Sequence, residues 1–352
     1  TFILNRGDYS QPTVKVEAGT PAKLPALPAG APANRLGLAQ WLVMKENPLT
    51  ARVAVNRVWK LLFGDGLVTT AADFGFQGQW PSHPELLDTL AVDFVDSGWN
   101  LKGLIRQIVT SSTYRQTSRT SAELLEKDPA NRLLSRGPRF RLQAELIRDQ
   151  ALQLGGLIVP QLGGPSVNPY SPFDLWREVS HYGSTPATAQ NFVQDHGDKL
   201  YRRSLYTFWR RNGPAPVLEA FDTPKRVVCV VRRDTTNSPL HALVLLNGKQ
   251  FVEASRVLAE RLLREYSGDR EAMLEAAFAR LTGRAPDAAE RRIVARLHDE
   301  QRAWFNRHPG DADCHLEIGD APPDRGLSAP AVAALAVTIN TLMNHDAFVV
   351  KR

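Results

Sequence analysis

The chain has long stretches of helical periodicity on either side of one stretch without it. Apolar residues recur every three or four positions over residues 34–154 and again from residue 238 onwards, a spacing typical of amphipathic helices. Between them, residues 155–200 are dense in glycine and proline, which interrupt regular elements. The pattern predicts a mainly α fold: a multi-helix domain with a few short β-strands and a long irregular central region.

Helix start signals place several of these elements. Asn34 and Asn100 stand directly before periodic stretches and predict N-caps, because an Asn side chain accepts hydrogen bonds from the free N–H groups of the first turn. Residues 82–85 (Ser-His-Pro-Glu) match a capping box, and residues 128–129 (Asp-Pro) predict the start of a short helix. The longer helices are predicted over residues 142–154, 238–246, 249–266, 270–281, 287–306 and 329–343.

Strands and core positions follow from the same pattern. Residues 205–209 and 226–232 are rich in aromatic or β-branched side chains and predict strands, with shorter ones at 2–4 and 14–16. Cys229 lies inside the apolar run and is expected to be a buried thiol. The helical stripes predict a buried core that includes Trp59, Leu87, Phe94, Ile105, Leu146, Leu243 and Leu258.

The domain organisation is expected to have two parts. Residues 1–33 form an extended, Pro-rich segment that begins without Met and is expected to continue from a missing N-terminal domain. Residues 34–352 are expected to form a single large helical domain. An alternative division gives 34–154 and 200–352, separated by the irregular residues 155–199.

Composition and charge exclude several function classes. The formal net charge is +6, but 43 basic residues are interspersed with 37 acidic ones and no Lys/Arg run exceeds two residues. We therefore expect no nucleic-acid partner, since such proteins cluster their basic residues. We also expect no membrane span in this fragment, because no apolar run is long enough. With two cysteines and no CxxCH or CxxC motif, we expect no cofactor in this chain.

The densest candidate chemistry lies in residues 201–240, which contain seven arginines and five aromatic residues. Arginine binds carboxylate, phosphate or sulfate groups at two points, and aromatic rings add stacking faces. One interpretation is a concave pocket for an anionic polysaccharide. The other is an internal network in which the arginines pair with acids such as Asp222 and Glu145. The predicted substrate-binding residues are Arg203, Tyr206, Arg226, Arg232, Tyr170 and Asp222.

Other chemistries have weaker sequence support. A metal-dependent hydrolase could use distant ligands such as His181, His196 and Asp195, although no HxH or HExxH pair is present. Ser166 follows a Gly-Gly turn, but the intervening Pro165 is incompatible with a nucleophile elbow. A second alternative is a carboxylate pair for glycoside cleavage at positions 145 and 149, which lie on one helix face; ion pairing with nearby arginines explains the same residues. No catalytic residue is assigned.

Ordered motifs along nearly the whole chain give it a family resemblance. These motifs lie at residues 56–59, 63–66, 73–75, 81–88, 114–116, 128–132, 139–142, 163–166, 201–211, 221–226 and 232–240. In them the chain resembles planctomycete-specific domain 1 (DUF1553), the C-terminal domain of large exported proteins from planctomycetes and related bacteria. Two positions depart from the family pattern: His241 stands where Gln is usual, and Val227 stands where Glu is usual.

The resemblance implies a setting for the domain. Family members commonly follow a c-type cytochrome domain, so it implies export to the periplasm or cell surface and an upstream cytochrome partner carrying haem c. Together with the arginine-rich segment, it suggests binding of an anionic polysaccharide and a part in its oxidation or processing. The alternative is a non-catalytic scaffold or interaction domain in a cell-surface or periplasmic assembly.

Overall fold

A computed structural model describes residues 1–172, 175–177, 191–211 and 213–351. Helices make up 49% of the structure and strands 4%, which confirms a mainly α fold with a few short strands. The chain divides into two compact units, Thr1–Arg139 and Phe140–Arg352. The domain limits drawn from the sequence stay predictions.

The first unit combines a strand pair with a group of helices. Strand β1 (Phe2–Leu4) pairs antiparallel with β2 (Pro12–Lys15), and a 3-10 turn, Asn5–Gly7, follows β1. The core of the unit contains Trp59, whose ring stacks on Phe63 with 4.2 Å between centroids. The helices of this unit are α1 (Arg35–Val43), α2 (Thr50–Phe63), α3 (Pro84–Asp96), α4 (Leu101–Val109) and α5 (Ala122–Lys127).

Local capping signals were predicted with mixed success. The Asn34 side chain accepts from the first-turn N–H groups of α1, and Asn100 does the same for α4, so both N-caps are confirmed. The capping box at residues 82–85 is wrong: His83 is the N-cap, and the Ser82 hydroxyl instead contacts its Nδ1 atom at 3.0 Å. Asp128 ends α5 rather than opening a helix, because its carboxylate accepts from the next turn's N–H groups.

The second unit is built around two helices with many fully buried residues, α9 (Lys249–Glu265) and α13 (Ala329–Leu342). Strand β3 (Phe140–Arg141) pairs antiparallel with β4 (Val350–Lys351). Two 3-10 turns, Gly197–Tyr201 and Ser204–Tyr206, lie between α6 (Ala144–Gly155) and α7 (Pro216–Ala220). The helices are α6 (Ala144–Gly155), α7 (Pro216–Ala220), α8 (Pro239–Asn247), α9 (Lys249–Glu265), α10 (Arg270–Thr282), α11 (Ala288–Arg307), α12 (Pro309–Leu316), α13 (Ala329–Leu342) and α14 (Asp346–Val349).

Both strands predicted in the arginine-rich region are wrong. Residues 204–206 form a 3-10 turn, and Thr207 makes only an isolated bridge to Val167. Residues 226–232 form no regular element, and Arg226 adopts the left-handed backbone region with φ 56°. A β-branched run becomes a strand only beside a partner strand, and the described residues pair none with it. Cys229 is consequently exposed rather than buried.

The predicted core is partly correct. Trp59, Leu87, Phe94 and Leu258 are buried, as expected. Three residues are exposed instead, because an adjacent or nearby apolar residue of the same helix takes the buried face. These residues are Ile105, Leu146 and Leu243, and the buried positions belong to Leu104, Ile147 and Leu245.

Candidate functional site

Arg148 of α6 is the centre of a buried hydrogen-bond network. Its guanidinium donates to Oε1 of Gln250 at 2.7 Å, to the carbonyls of Leu200 and Arg202 at 2.7 and 3.0 Å, and to the Ser204 hydroxyl at 3.2 Å. Burial lowers the pKa of Arg148 to about 10, so it remains charged at neutral pH. Its contacts fix the chain at residues 200–204, which makes its role structural.

The carboxylates of α6 form internal pairs. Asp149 accepts from the backbone N–H and the hydroxyl of Ser204, both at 2.7 Å. Arg203 Nε lies 3.8 Å from the second oxygen of Asp149, with about half of its side chain exposed. Glu145 accepts from Arg233 at 2.6 Å. The structure thus shows ion pairing at both positions considered for glycoside cleavage.

Arg202 and Tyr206 together hold the glycine-rich loop. The Arg202 guanidinium lies over the Tyr206 ring, 3.8 Å from its centroid. It donates to the carbonyls of Gln161, Gly163 and Pro165. The Tyr206 hydroxyl accepts from the Gly163 N–H at 2.8 Å. The Tyr206 side chain is therefore engaged with the glycine-rich loop at residues 161–165.

Tyr170, another predicted site residue, donates to a buried carboxylate that the sequence analysis missed. Oε2 of Glu253 accepts from the Tyr170 hydroxyl at 3.0 Å. Oε1 accepts from the Tyr201 hydroxyl at 2.8 Å and from the N–H groups of Asp320 and Ala321 at 2.7 and 2.8 Å. Burial raises the pKa of both tyrosines, so they remain donors at neutral pH. Glu253 thereby joins three loop segments.

The loop that approaches Glu253 requires a glycine. Gly319 has φ 109°, and a Cβ atom placed there would lie 2.3 Å from the Glu253 carboxyl group. Only glycine tolerates both the backbone conformation and the close approach. One sequence signal could have indicated this buried network. Glu253, Arg256 and Glu260 recur at helical spacing, and all three lie on the buried face of α9.

Asp222 is fixed by a third network. Its backbone has φ 61°, and its carboxylate accepts from Arg141, from the Thr236 N–H at 2.8 Å and from the Thr236 hydroxyl at 3.0 Å. Burial alone would raise the pKa of Asp222, but the Thr236 hydrogen bonds and the Arg141 charge outweigh it and lower the pKa. His241 stacks on the Phe221 ring at 4.9 Å, and burial lowers the pKa of His241.

An open cavity of about 410 Å³ lies beside the exposed valine run. Arg226 borders it and rests on the Trp209 ring, 4.5 Å from the centroid, while Trp209 Nε1 donates to the Lys225 carbonyl at 3.1 Å. Arg233 borders it as well. The complete lining is Glu145, Pro224, Arg226, Val227, Val228, Cys229, Val230 and Arg233.

The structure does not gather the six predicted site residues around this cavity. Arg226 lines it, and Arg232 is exposed a few residues further along the chain. The other four take part in the separate internal contacts described above: Arg203 with Asp149, Tyr206 with Arg202, Tyr170 with Glu253, and Asp222 with Arg141.

The metal alternative receives no geometric support from the described residues. They contain no group of three or more His, Cys, Asp or Glu side chains placed to hold a metal. His196 pairs with Asp320 at 2.9 Å, Asp195 lies 3.5 Å from Lys199, and His181 lies outside the described residues. Of the helices described, none has the length and apolar character to cross a membrane.

Comparisons with known proteins identify one family. The model of PSD1, described as a protein of unknown function (DUF1553), matches residues 34–298. This match confirms the resemblance inferred from the motifs. Searches of curated proteins and of solved structures gave no significant match.

Proposed function

We propose, from the premise that the chain belongs to the DUF1553 family of unknown function, that its second unit is a non-catalytic interaction domain. Its binding surface would be residues 225–233, here called the basic–valine surface. The observation that carries the proposal is the exposure of Val227, Val228, Val230 and Val231, whose exposed fractions run from 39% to 72%. Valine is usually buried, and a contiguous exposed apolar segment is typical of interaction sites.

The charges around the valines indicate the character of the partner. Basic pairs stand at both ends of the run, Lys225–Arg226 and Arg232–Arg233. Arg233 is paired with Glu145, whereas no acid among the described residues pairs with Arg226 or Arg232. A partner with apolar side chains between acidic ones would complement this surface. Two copies of the segment aligned antiparallel would oppose like charges, which disfavours self-association.

The internal contacts support an interaction role over a catalytic one. Several polar groups that the sequence offered for substrate binding or catalysis already bond within the protein. Arg202 holds a loop, Asp149 holds Ser204, and Tyr170 donates to Glu253. Side chains with these roles stabilise the fold, whereas the valines of the basic–valine surface are exposed.

An anionic polysaccharide, the partner expected from the sequence, is the second candidate. Arg226 and Arg232 favour it, because a uronate or sulfate group could bind the guanidinium of either residue. The aromatic rings argue against it, because the faces that would stack on sugar rings are already covered by other side chains. Trp209 lies beneath Arg226, and Phe221 stacks on His241. The cavity lining has valines in place of an aromatic platform.

The cellular setting forms part of the proposal. The resemblance supports export to the periplasm or cell surface and a place behind a c-type cytochrome domain that would carry haem c. A domain that recognises an acidic partner or polymer there would bring the cytochrome to its site of action. Oxidation or processing of the bound polymer would then be carried out elsewhere in the protein.

A calorimetric titration of the full chain tests the proposal. The probes are a short peptide with glutamates at both ends and valines between them, a sulfated oligosaccharide and an oligouronate. We expect the peptide to bind, and the double variant Arg226→Gln/Arg232→Gln to weaken it by about tenfold or more. Arg296→Gln, at an exposed arginine on α11, is the matched control. Saccharide binding without peptide binding would support the second candidate, and no binding by any probe would contradict both.

A further inference from the structure

A second cavity lies between α10 and α11, on a part of the second unit that shares no residue with the basic–valine surface. Its volume is about 260 Å³. The apolar part of its lining consists of Leu274, Phe278, Pro286, Val294 and Ala295. The charged part consists of Arg270, Glu271, Glu275, Arg291 and Arg292. The cavity therefore has an apolar wall and a charged rim.

The volume limits the size of an occupant. An apolar cavity of about 150 Å³ is enough to hold benzene, and sites for drug-sized ligands begin near 300 Å³. The 260 Å³ here suits a phenyl ring with a short polar extension. Leu274, Phe278 and Val294 are themselves buried, so they form a fixed wall against which a ring can pack.

Most of the charged side chains on the rim already have a stabilising partner within the protein. Arg270 donates to Asp299 at 2.6 Å and to the Ala295 carbonyl at 3.0 Å. Arg291 Nε lies 2.7 Å from Glu275. Glu271 stands in the first turn of α10, where the free N–H groups and the helix dipole stabilise a carboxylate.

Arg292 is the exception on this rim. It is exposed, and no acid among the described residues pairs with it. It stands in the N-terminal half of α11, so the helix dipole does not stabilise its positive charge. Arg292 therefore places on the rim of the cavity a guanidinium that no acid among the described residues pairs with.

We propose that the α10–α11 cavity binds an aryl carboxylate. The ring would pack on Leu274, Phe278 and Val294, and the carboxylate would form a two-point contact with Arg292, whose planar guanidinium matches that geometry. Two sources present this chemistry: a free aromatic acid and the C-terminal phenylalanine of a peptide. In both, one apolar ring lies a few bonds from a carboxylate.

Calorimetric titrations of the full chain test the proposal. The probes are 3-phenylpropionate, its amide, and two peptides ending in Phe with a free or an amidated C-terminus. We expect the acids to bind and the amides to bind at least about tenfold more weakly, since they cannot form the charged contact. Arg292→Gln should weaken acid binding by about tenfold, and Ala295→Leu should abolish it by filling the cavity. Arg296→Gln, at an exposed arginine of α11 outside the cavity lining, is the control that should leave it unchanged.

Each outcome decides the proposal. Tighter binding of 3-phenylpropionate identifies a free acid as the ligand, and tighter binding of the free-carboxylate peptide identifies a chain terminus. Equal binding of acid and amide, unchanged binding by Arg292→Gln, or no binding of either acid overturns the proposal. If Ala295→Leu does not fold, the acid–amide comparison and Arg292→Gln still decide it. Neither arm depends on the basic–valine surface, so the two proposals can fail separately.

Discussion

The Tyr201 hydroxyl donates to Oε1 of Glu253 at 2.8 Å, inside the second unit. The same carboxylate accepts from Tyr170 and from two backbone N–H groups of the 320–321 loop. A fully buried carboxylate is stable only when hydrogen bonds replace its hydration, and here four donors do so. Glu253 of α9 thus holds three separate segments, at Tyr170, Tyr201 and residues 320–321, against one helix.

Glu253→Ala should strongly destabilise the second unit. The change leaves four donors without their acceptor, and breaking a buried charged network of this kind costs about 3–5 kcal/mol. Glu253→Gln keeps one acceptor oxygen and should cost less. Urea unfolding of both variants measures the difference, with the exposed Glu300→Ala as a control expected within about 0.5 kcal/mol of the parent. A loss below about 1 kcal/mol for Glu253→Ala would show that these hydrogen bonds contribute little.

Phe94→Ala and Ile105→Ala should differ in their cost. Phe94 is buried and meets the Trp99 ring edge-on at 5.2 Å, so its removal should cost about 3–5 kcal/mol. Ile105 is partly exposed on α4, and its truncation should cost clearly less. Chemical unfolding of the two variants measures both values. Similar losses would mean that Ile105 is packed as well as Phe94.

His241 should make stability depend on pH below its ordinary pKa. Burial and then the Arg141 charge hold the folded pKa of His241 below its ordinary value of 6.5. The unfolded chain therefore binds the proton more readily, so the stability due to the neutral ring is complete above about pH 6.5 and is lost as the pH falls below it. His241→Gln should flatten the curve of unfolding free energy between pH 7 and 5. An unchanged slope in that variant would contradict the assignment.

Asp222 should make stability depend on pH in a more acidic range than His241 does. Its folded pKa is lowered below 3.8, so its contribution to stability is present above that pH and is lost as the pH falls through the folded pKa. Asp222→Asn should flatten the pH dependence of stability below about pH 3.8. It should also lower stability at neutral pH by leaving the partly buried Arg141 without its carboxylate partner. Acid unfolding followed by circular dichroism measures both effects. A variant with the parent's curve would show that the Arg141 pair is unimportant.

The helices were predictable because their signals are local. Asn34 and Asn100 lie within three residues of the N–H groups they cap, so a short sequence window contains the interaction. Choosing the buried face was harder where two apolar residues are adjacent, as at positions 104–105 and 146–147. Either residue continues a helical stripe, and the neighbouring elements decide which one is buried.

The candidate site was less predictable because its contacts are distant in sequence. Tyr170 and Glu253 are separated by 83 residues, and Arg141 and Asp222 by 81. No local pattern distinguishes an arginine that bonds internally, such as Arg202, from one that faces solvent, such as Arg226. The exposure of the valine run was equally invisible, since the same residues would form a buried strand beside a suitable partner.

The affinity of the valine-containing acidic peptide for Val228→Ser tests the central claim most directly. Val228 is the most exposed of the four valines, so its substitution leaves the fold intact and removes only apolar contact area. If the surface binds its partner through the valines, the Kd should rise by about tenfold. An unchanged Kd in a folded Val228→Ser protein would contradict a role for the valine run in binding.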